Sequence, residues 1–380
     1  MALLKSNICD NLQIMKARLF VATHVSDGST AYEIFVEHLF NDLISVGEVR
    51  KEGQGYQASI DLDYKEIEQL LLPLAHVIER NGEAFKKLCL ADDFFKLQRD
   101  SWFNLVIHGF DLNSGVGIGS KGVLRTFAKH SNPLVAENWA GELESDVELN
   151  VILRRGMDTT LLNSHKHRLS EVFPAYEYEI RSLAYPEAVF LNTAYVLETL
   201  RAECGNCTRS LGYFLDPKLR GSIMGNCMVA IATGAMTKYI NNAATGASHS
   251  FSASFIAEQL AITLIKCCHR VGKVQEVATM CATQMIDNMP SSLCQRRSLF
   301  VMLELLDMMW ISCLEEEADE FGWRSRFHST REMITIELSD DYNFRKITLT
   351  NFLANAKSWI VKAINIAPLD IKGLLQVSIS

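Results

Sequence analysis

Proline is scarce in this chain, with 7 residues in 380, and glycine is held to 21. Both fall mostly between apolar-periodic segments, which disfavours many short strands joined by tight turns and favours helices. Long apolar runs are missing as well. The most apolar window, Ile223 to Met236, contains Asn226, Thr233 and two glycines. It is shorter than the ~20 residues of a membrane span and reads as a buried helix. The N-terminus, Met1-Ala2-Leu3-Leu4-Lys5-Ser6, lacks the basic and then apolar regions of a secretory signal. No dense Lys/Arg run exists, and a net charge of −8 argues against a nucleic-acid partner, which would require a basic face. The ten cysteines have no regular spacing, and Cys267 and Cys268 are adjacent. This usage fits reduced thiols serving as small hydrophobes, hence a cytosolic compartment.

What is present is material for a core: 48% hydrophobic and 22% charged residues. Leu12, Met15, Leu19 and Ala22 share one helical face ending at Ser26-Asp27-Gly28. Ser29 or Thr30 caps a second helix carrying Ile34, Phe35, Leu39 and Leu43, and a polar loop follows from Glu48 to about Ser59. Asp63 opens a helix with the stripe Ile67, Leu70, Leu71, Leu74, Val77 and Ile78, with Pro73 inside it as a bend. Asp92 to His108 forms its partner helix, with glycine at the C-terminal cap.

From Asp111 to Gly122 periodicity is lost; Pro133 and Trp139 mark a short helical piece, Ser145 to about Leu162 another, and His165 to Tyr185 is a polar linker. Further helices run from Ala188 to Glu203 and from Pro217 to near Asn241, with Asn242 to Ser252 as a loop. Phe255 to Arg270, Val274 to Met289 and Leu293 to about Leu314 continue the series. The last carries the stripe Leu299, Met302, Leu303, Leu306, Met309, Trp310 and Cys313. In Glu315 to Asp341, Ile334 to Leu338 alternates with period two but has no visible partner strand, so an extended connector is expected. Ser339 or Asp340 then caps a helix carrying Leu349, Phe352, Leu353, Ala356, Ile360 and Ala363, ended by Pro368.

Helix pairs roughly 40 residues apart suit an all-α solenoid of HEAT- or armadillo-like units. The competing architecture is a compact helical bundle. The segments are 1–110 and 185–314 as helical repeats, 111–184 as loop-rich and irregular, 315–341 as a connector, and 342–380 as a helical segment continuing into a missing C-terminal part. Asp370 to Leu375 reads as the start of a helix, which makes the chain a fragment of something longer.

The chemical motifs are weak. Gly117-Ile118-Gly119-Ser120-Lys121-Gly122 matches G-x-G-x-x-G but follows a helix, not the strand that a phosphate-binding turn requires. Cys204-Gly205-Asn206-Cys207 has redox spacing but follows a helix C-terminus, where the dipole disfavours a thiolate. His165-Lys166-His167 lacks a third metal ligand and is expected to be solvated; Cys267-Cys268-His269 reads as the end of a buried face. Glu315-Glu316-Glu317 with Asp319 and Glu320 reads as a solvated acidic face. No catalytic, cofactor-binding or metal-binding residue is assigned.

Leu70-Leu71-Leu72-Pro73-Leu74 with Ile78-Glu79-Arg80-Asn81, then Arg99-Asp100-Ser101-Trp102 and Gly109-Phe110, resembles the non-catalytic N-terminal region of type III alpha phosphatidylinositol 4-kinases. The later Leu299 to Trp310, Met333-Ile334-Thr335-Ile336 and the helix after Asp341 are similar to that family's downstream order. Ser101 stands where the family more often has an aromatic, which suggests a divergent, fungal member. The family's catalytic Asp-Arg-His-Asn and metal-binding Asp-Phe-Gly are absent, Asp93-Phe94 being followed by Phe95.

The resemblance implies a scaffold or regulatory segment without activity of its own, within a parent that makes phosphatidylinositol 4-phosphate with ATP and Mg. It implies a tetratricopeptide-repeat scaffold, a hyccin-like subunit and a lipidated membrane anchor as partners, a homodimeric complex, and peripheral association with the cytosolic face of the plasma membrane. The alternatives are an unrelated HEAT-type scaffold and a stand-alone nucleotide- or metal-dependent enzyme. Pro73, Glu79, Arg80, Asn81, Arg99, Asp100, Trp102, Gly109 and Phe110 are the structural motif residues, and the partner-binding residues are not identified.

Overall fold

The structure is a computed structural model that describes residues 11–46, 56–135, 159–246, 249–318, 323–329 and 331–379. The described residues are all-α apart from one hairpin, and they divide into two compact units. One comprises residues 1–201 with 222–227, the other 202–221 with 228–380.

The first unit contains α1 (Asn11–His24), α2 (Thr30–Ser45), α3 (Tyr56–Arg80), α4 (Gly82–Leu88), α5 (Asp92–Ile107), α6 (Gly115–Gly119), α7 (Lys121–His130), α8 (Thr159–Val172), α9 (Glu177–Ser182) and α10 (Tyr185–Glu203) up to Arg201. Helix α3 packs on α1 and α7, and α2 packs on α5. Two layers of stacked helices result, the solenoid manner of burying one continuous core between successive pairs. The stripe of α3 forms that core: Ile67, Leu70, Leu71, Leu74, Val77 and Ile78 are all buried. Pro73 lies inside α3 without ending it.

The ends of these helices follow local chemistry. Ser29 caps α2 by accepting the Tyr32 N–H at 3.2 Å. After α5 the Gly109 N–H donates to the Val106 carbonyl and the Phe110 N–H to the Leu105 carbonyl, with Gly109 at φ +79°. This is the paired-bond C-cap that a left-handed residue makes possible.

Several expectations are corrected in this unit. Asp111–Gly122 is helical in part: Asp111 Oδ1 accepts the Asn113 and Ser114 N–H groups, Ser114 caps α6, and α7 follows directly. The 165–185 stretch is α8, a 3-10 turn Pro174–Tyr176 and α9. Its polar residues face outward, while His165, Leu169, Phe173, Ile180 and Leu183 are buried, a period masked by low overall hydropathy. Helix α3 starts at Tyr56, earlier than Asp63. Ile34 is 49% exposed; Val36 and Phe40 take up the buried face of α2 instead. Trp139 and most of the 145–162 segment lie outside the described residues.

The second unit contains a 3-10 segment Arg209–Leu215, α11 (Pro217–Arg220), α12 (Ile223–Thr245) from Met228, α13 (Ala253–Lys266), α14 (Gly272–Asn288), α15 (Arg296–Ala318), β1 (Arg326–Ser329), β2 (Ile334–Glu337), α16 (Tyr342–Ile366) and α17 (Pro368–Ile379). Helix α13 packs on α15 and α14 on α16, each resting on the next but one. The expected single helix from Pro217 is two, because Gly221 and Ser222 interrupt it, and its second part runs on to Thr245, into the expected loop.

The expected connector holds an antiparallel hairpin in which Arg326 pairs with Glu337 and Ser329 with Ile334. Only Ile334, Ile336 and Leu338 alternate inward strongly enough to read as a strand; β1 offers Arg and His outward and one half-buried Phe327. Trp310, expected on the buried face of α15, is 57% exposed, and Leu305 and Met308 are buried in its stead. Asp341, not Ser339 or Asp340, caps α16.

An added Cβ at Gly109 would meet Tyr64 only at ordinary contact distance, 3.4 Å. Gly109→Ala therefore tests the backbone alone and should destabilise the protein by about 1–2 kcal/mol in urea unfolding, the strain of a left-handed Ala.

Candidate functional site

The motif residues converge on helix ends. Arg80, at the last turn of α3, donates to the Ala22 carbonyl at 2.8 Å, to the Val25 carbonyl and to Asp27 Oδ1. A cation thus meets the unpaired carbonyls at the C-terminus of α1, where the helix dipole is negative. The adjacent Asn81 caps α4 by accepting the Ala84 N–H at 3.1 Å and donates to Asp27 Oδ2 at 3.3 Å. Glu79 accepts from Thr126 at 3.2 Å. The Glu-Arg-Asn triplet therefore ties α3 to α1, α4 and α7.

A second node surrounds Trp102, which is fully buried. Its indole stacks on Phe127 with centroids 4.7 Å apart and rings 7° from parallel, and Nε1 donates to Ser131 Oγ at 2.9 Å. Beside it Gln98 and the Asn132 backbone exchange two hydrogen bonds, and Asn132 Nδ2 donates to the Cys89 carbonyl at 2.7 Å. Arg201, 1% exposed, donates to the Ala128 and Ser131 carbonyls at 3.1 and 2.5 Å and pairs with Glu198 at 2.5 Å. It does for the end of α7 what Arg80 does for α1.

Two residues on from Trp102, Asn104 donates to the Leu43 carbonyl at 2.5 Å and to that of Val46 at 3.4 Å, at the end of α2. Arg99 pairs with Asp100 at 3.0 Å and lies 6.0 Å from the Phe95 ring centroid. Phe110 is buried behind the Gly109 turn and meets Tyr64 edge-on. Sequence reading found Trp102 and Arg80 but missed Arg201, Glu198, Gln98, Asn104 and Asn132. The available signal was polar residues standing at apolar-stripe positions of α5 and α10.

The weaker chemical motifs are placed separately. Gly117 and Gly119 lie in α6, and an added Cβ at Gly117 would meet the Asp111 carbonyl at 1.7 Å; close packing accounts for that glycine. Cys207 is buried, its N–H donates to Gln259 Oε1 at 3.1 Å, and burial pushes its thiol well up, away from the reactive thiolate. Among the described residues, no three His, Cys, Asp or Glu side chains are placed to hold a metal ion.

His165, expected to be solvated, is 2% exposed because α8 turns it inward, where it meets Tyr185 edge-on. Burial, reinforced by Arg168 and opposed by Asp111, lowers its pKa to about 4; burial together with Lys266, Arg270 and Arg220 lowers that of His269 to about 4. The arrangement provides charge-assisted hydrogen bonds to helix ends, which fix helix positions.

Three expectations follow for stability. Trp102→Ala should cost about 3–5 kcal/mol in urea unfolding. Arg201→Met, which leaves Glu198 without its guanidinium, should cost about 3–5 kcal/mol, and the double variant with Glu198→Leu less. Between the ordinary histidine pKa and about 4, unfolded chains bind protons that folded His165 and His269 refuse, so stability is complete above that window and lost as pH falls through it. His165→Phe should flatten the dependence of the urea midpoint on pH between 7 and 4.5; an unchanged slope would contradict this assignment.

No family model matches the chain. It is 31% identical over all 380 residues to phosphatidylinositol 4-kinase STT4 of Saccharomyces cerevisiae, and 27% identical over 369 residues, 96% of the chain, to phosphatidylinositol 4-kinase stt4 of Schizosaccharomyces pombe. The chain spans only 20% and 19% of the lengths of these two relatives. In sequence, then, this chain corresponds over all 380 residues to a segment of the Saccharomyces cerevisiae phosphatidylinositol 4-kinase STT4.

Proposed function

We propose that this chain is a non-catalytic helical scaffold segment, from the N-terminal region of a phosphatidylinositol 4-kinase that forms phosphatidylinositol 4-phosphate from phosphatidylinositol and ATP. The observation that carries the reading is similarity to two such kinases along 96% or more of the chain, over about one-fifth of their length. It is supported by a family motif whose side chains are spent on helix ends and on packing. ATP and Mg belong to a catalytic domain elsewhere in the parent.

In this reading the segment supplies rigid surfaces for assembly with a tetratricopeptide-repeat scaffold, a hyccin-like subunit and a lipidated anchor. These partners bring a homodimeric complex to the cytosolic face of the plasma membrane. No helix among the described residues is long and apolar enough to cross a membrane, so attachment through partners is the economical route.

The test pairs two measurements. Purified full-length protein should convert phosphatidylinositol in detergent micelles to phosphatidylinositol 4-phosphate, while the 380-residue chain gives no product. Overexpressed in cells, the 380-residue chain should co-purify with the scaffold partners and reduce their recovery with the full-length kinase. Lipid product from the short chain, or unaltered partner recovery, would overturn the reading.

A further inference from the structure

Helices α14 and α16 lie side by side and run in the same direction. Gln275 Nε2 donates to Thr348 Oγ1 at 3.0 Å near their starts, and Trp359 Nε1 donates to Thr283 Oγ1 at 3.3 Å further on. From the first bridge to short of the second, a groove of about 540 Å³ runs between residues 272–280 and 348–355. Its floor is apolar, with Phe352 and Cys267 buried and Met280 exposed at the rim.

The polar groups of the α14 wall are already committed. Glu276, the one charged side chain lining the groove, pairs with Lys273 at 2.9 Å. Gln275 also donates to the His269 carbonyl at 2.7 Å, and Thr279 is hydrogen-bonded to the Cys267 side chain. On the α16 wall the situation is reversed. Asn351 is exposed and Asn355 half-buried, both line the groove, and neither has a hydrogen-bond partner among the described residues.

Asparagine disfavours a helix interior, because its amide competes for the backbone. A bond back to the carbonyl one turn earlier would occupy the side chain, as Thr348 and Thr350 do with Phe344 and Lys346. The two asparagines, in the middle of a 25-residue helix, make no such bond and add nothing to the packing of α14 on α16.

Their spacing matches an extended chain. Four residues of helix rise ~6 Å, and two residues of strand advance ~6.7 Å. A carboxamide carries both a donor and an acceptor, the complement of a peptide unit. Asn351 and Asn355 can each bond the main chain of alternate residues in one segment lying along α16. The side chains of that segment then point by turns to the apolar floor and to solvent. Eight residues of α14 span ~12 Å, which roughly four extended residues fill.

We propose that the α14–α16 groove binds an extended, uncharged peptide segment of a partner protein, through main-chain hydrogen bonds to Asn351 and Asn355 and apolar contact of every second side chain with the floor. Main-chain bonds supply affinity in such a site, and the pocket for alternate side chains supplies selectivity. The proposal rests on this groove and not on the functional reading, since the micelle assay reports activity whether or not the groove binds a peptide.

The probe is a phage-displayed library of random octapeptides, selected on the full-length protein and counter-selected on its Asn351→Ala/Asn355→Ala variant. Alanine is the better helix former at both positions, so the variant should unfold at the same temperature as the parent or above it. A synthetic peptide of the enriched sequence should bind the parent in fluorescence anisotropy and lose at least tenfold in affinity for the variant. Replacing its amides one at a time by esters removes single N–H donors. Esters at two positions, two residues apart, should weaken binding to the parent and leave binding to the variant unchanged.

A library that yields no sequence preferring the parent would overturn the proposal, as would a selected peptide that binds parent and variant equally. Binding that no ester weakens would overturn it too, because the ligand would then be read through its side chains alone, as a helical ligand is.

Discussion

Every α-helix ends with carbonyls that have no partner within the helix, and stacking helices takes those ends out of water. The first unit answers this constraint with long polar side chains reaching across from neighbouring helices. Arg80 meets the end of α1, Arg201 the end of α7 and Asn104 the end of α2. Apolar burial drives the collapse, but it is non-directional. Hydrogen bonds to named carbonyls set where one helix stops against the next, and the aromatic layer of Trp102 and Phe127 is positioned between such contacts.

This division of labour explains what the sequence discloses. The stripe of α3, the glycine turn at Gly109 and the helix over Ala188 to Glu203 are written in local patterns, and the structure carries all three. Trp102 is legible because a large aromatic in an apolar run has few places to go but inward. Arg201 and Glu198 are not, since an Arg and a Glu three residues apart look the same on a solvated face as in a core; only the tertiary neighbours of α10 separate the two.

The hairpin was half legible. Ile334, Ile336 and Leu338 show period two, whereas β1 has too few apolar residues to show any, and its pairing is a tertiary fact. Helix α8 was hidden for the opposite reason: its polar surface outweighs the few inward residues that define it. His165 was misread with it, because a histidine's surroundings follow from which way its helix faces. That Arg80 and Asn81 cap neighbouring helices while Trp102 packs against α7 was visible only in three dimensions.

In the proposed reading, a segment built this way contributes to a lipid kinase through shape. Side chains that would otherwise be available for chemistry are committed to helix ends, and the buried thiols and histidines are held in their neutral forms. The direct measurement is on the full-length protein carrying Arg201→Met, scored for turnover of micellar phosphatidylinositol and for partner proteins recovered with it. The account predicts turnover per molecule within about twofold of the parent and a clear loss of partner recovery. Loss of turnover with partner recovery intact would contradict it.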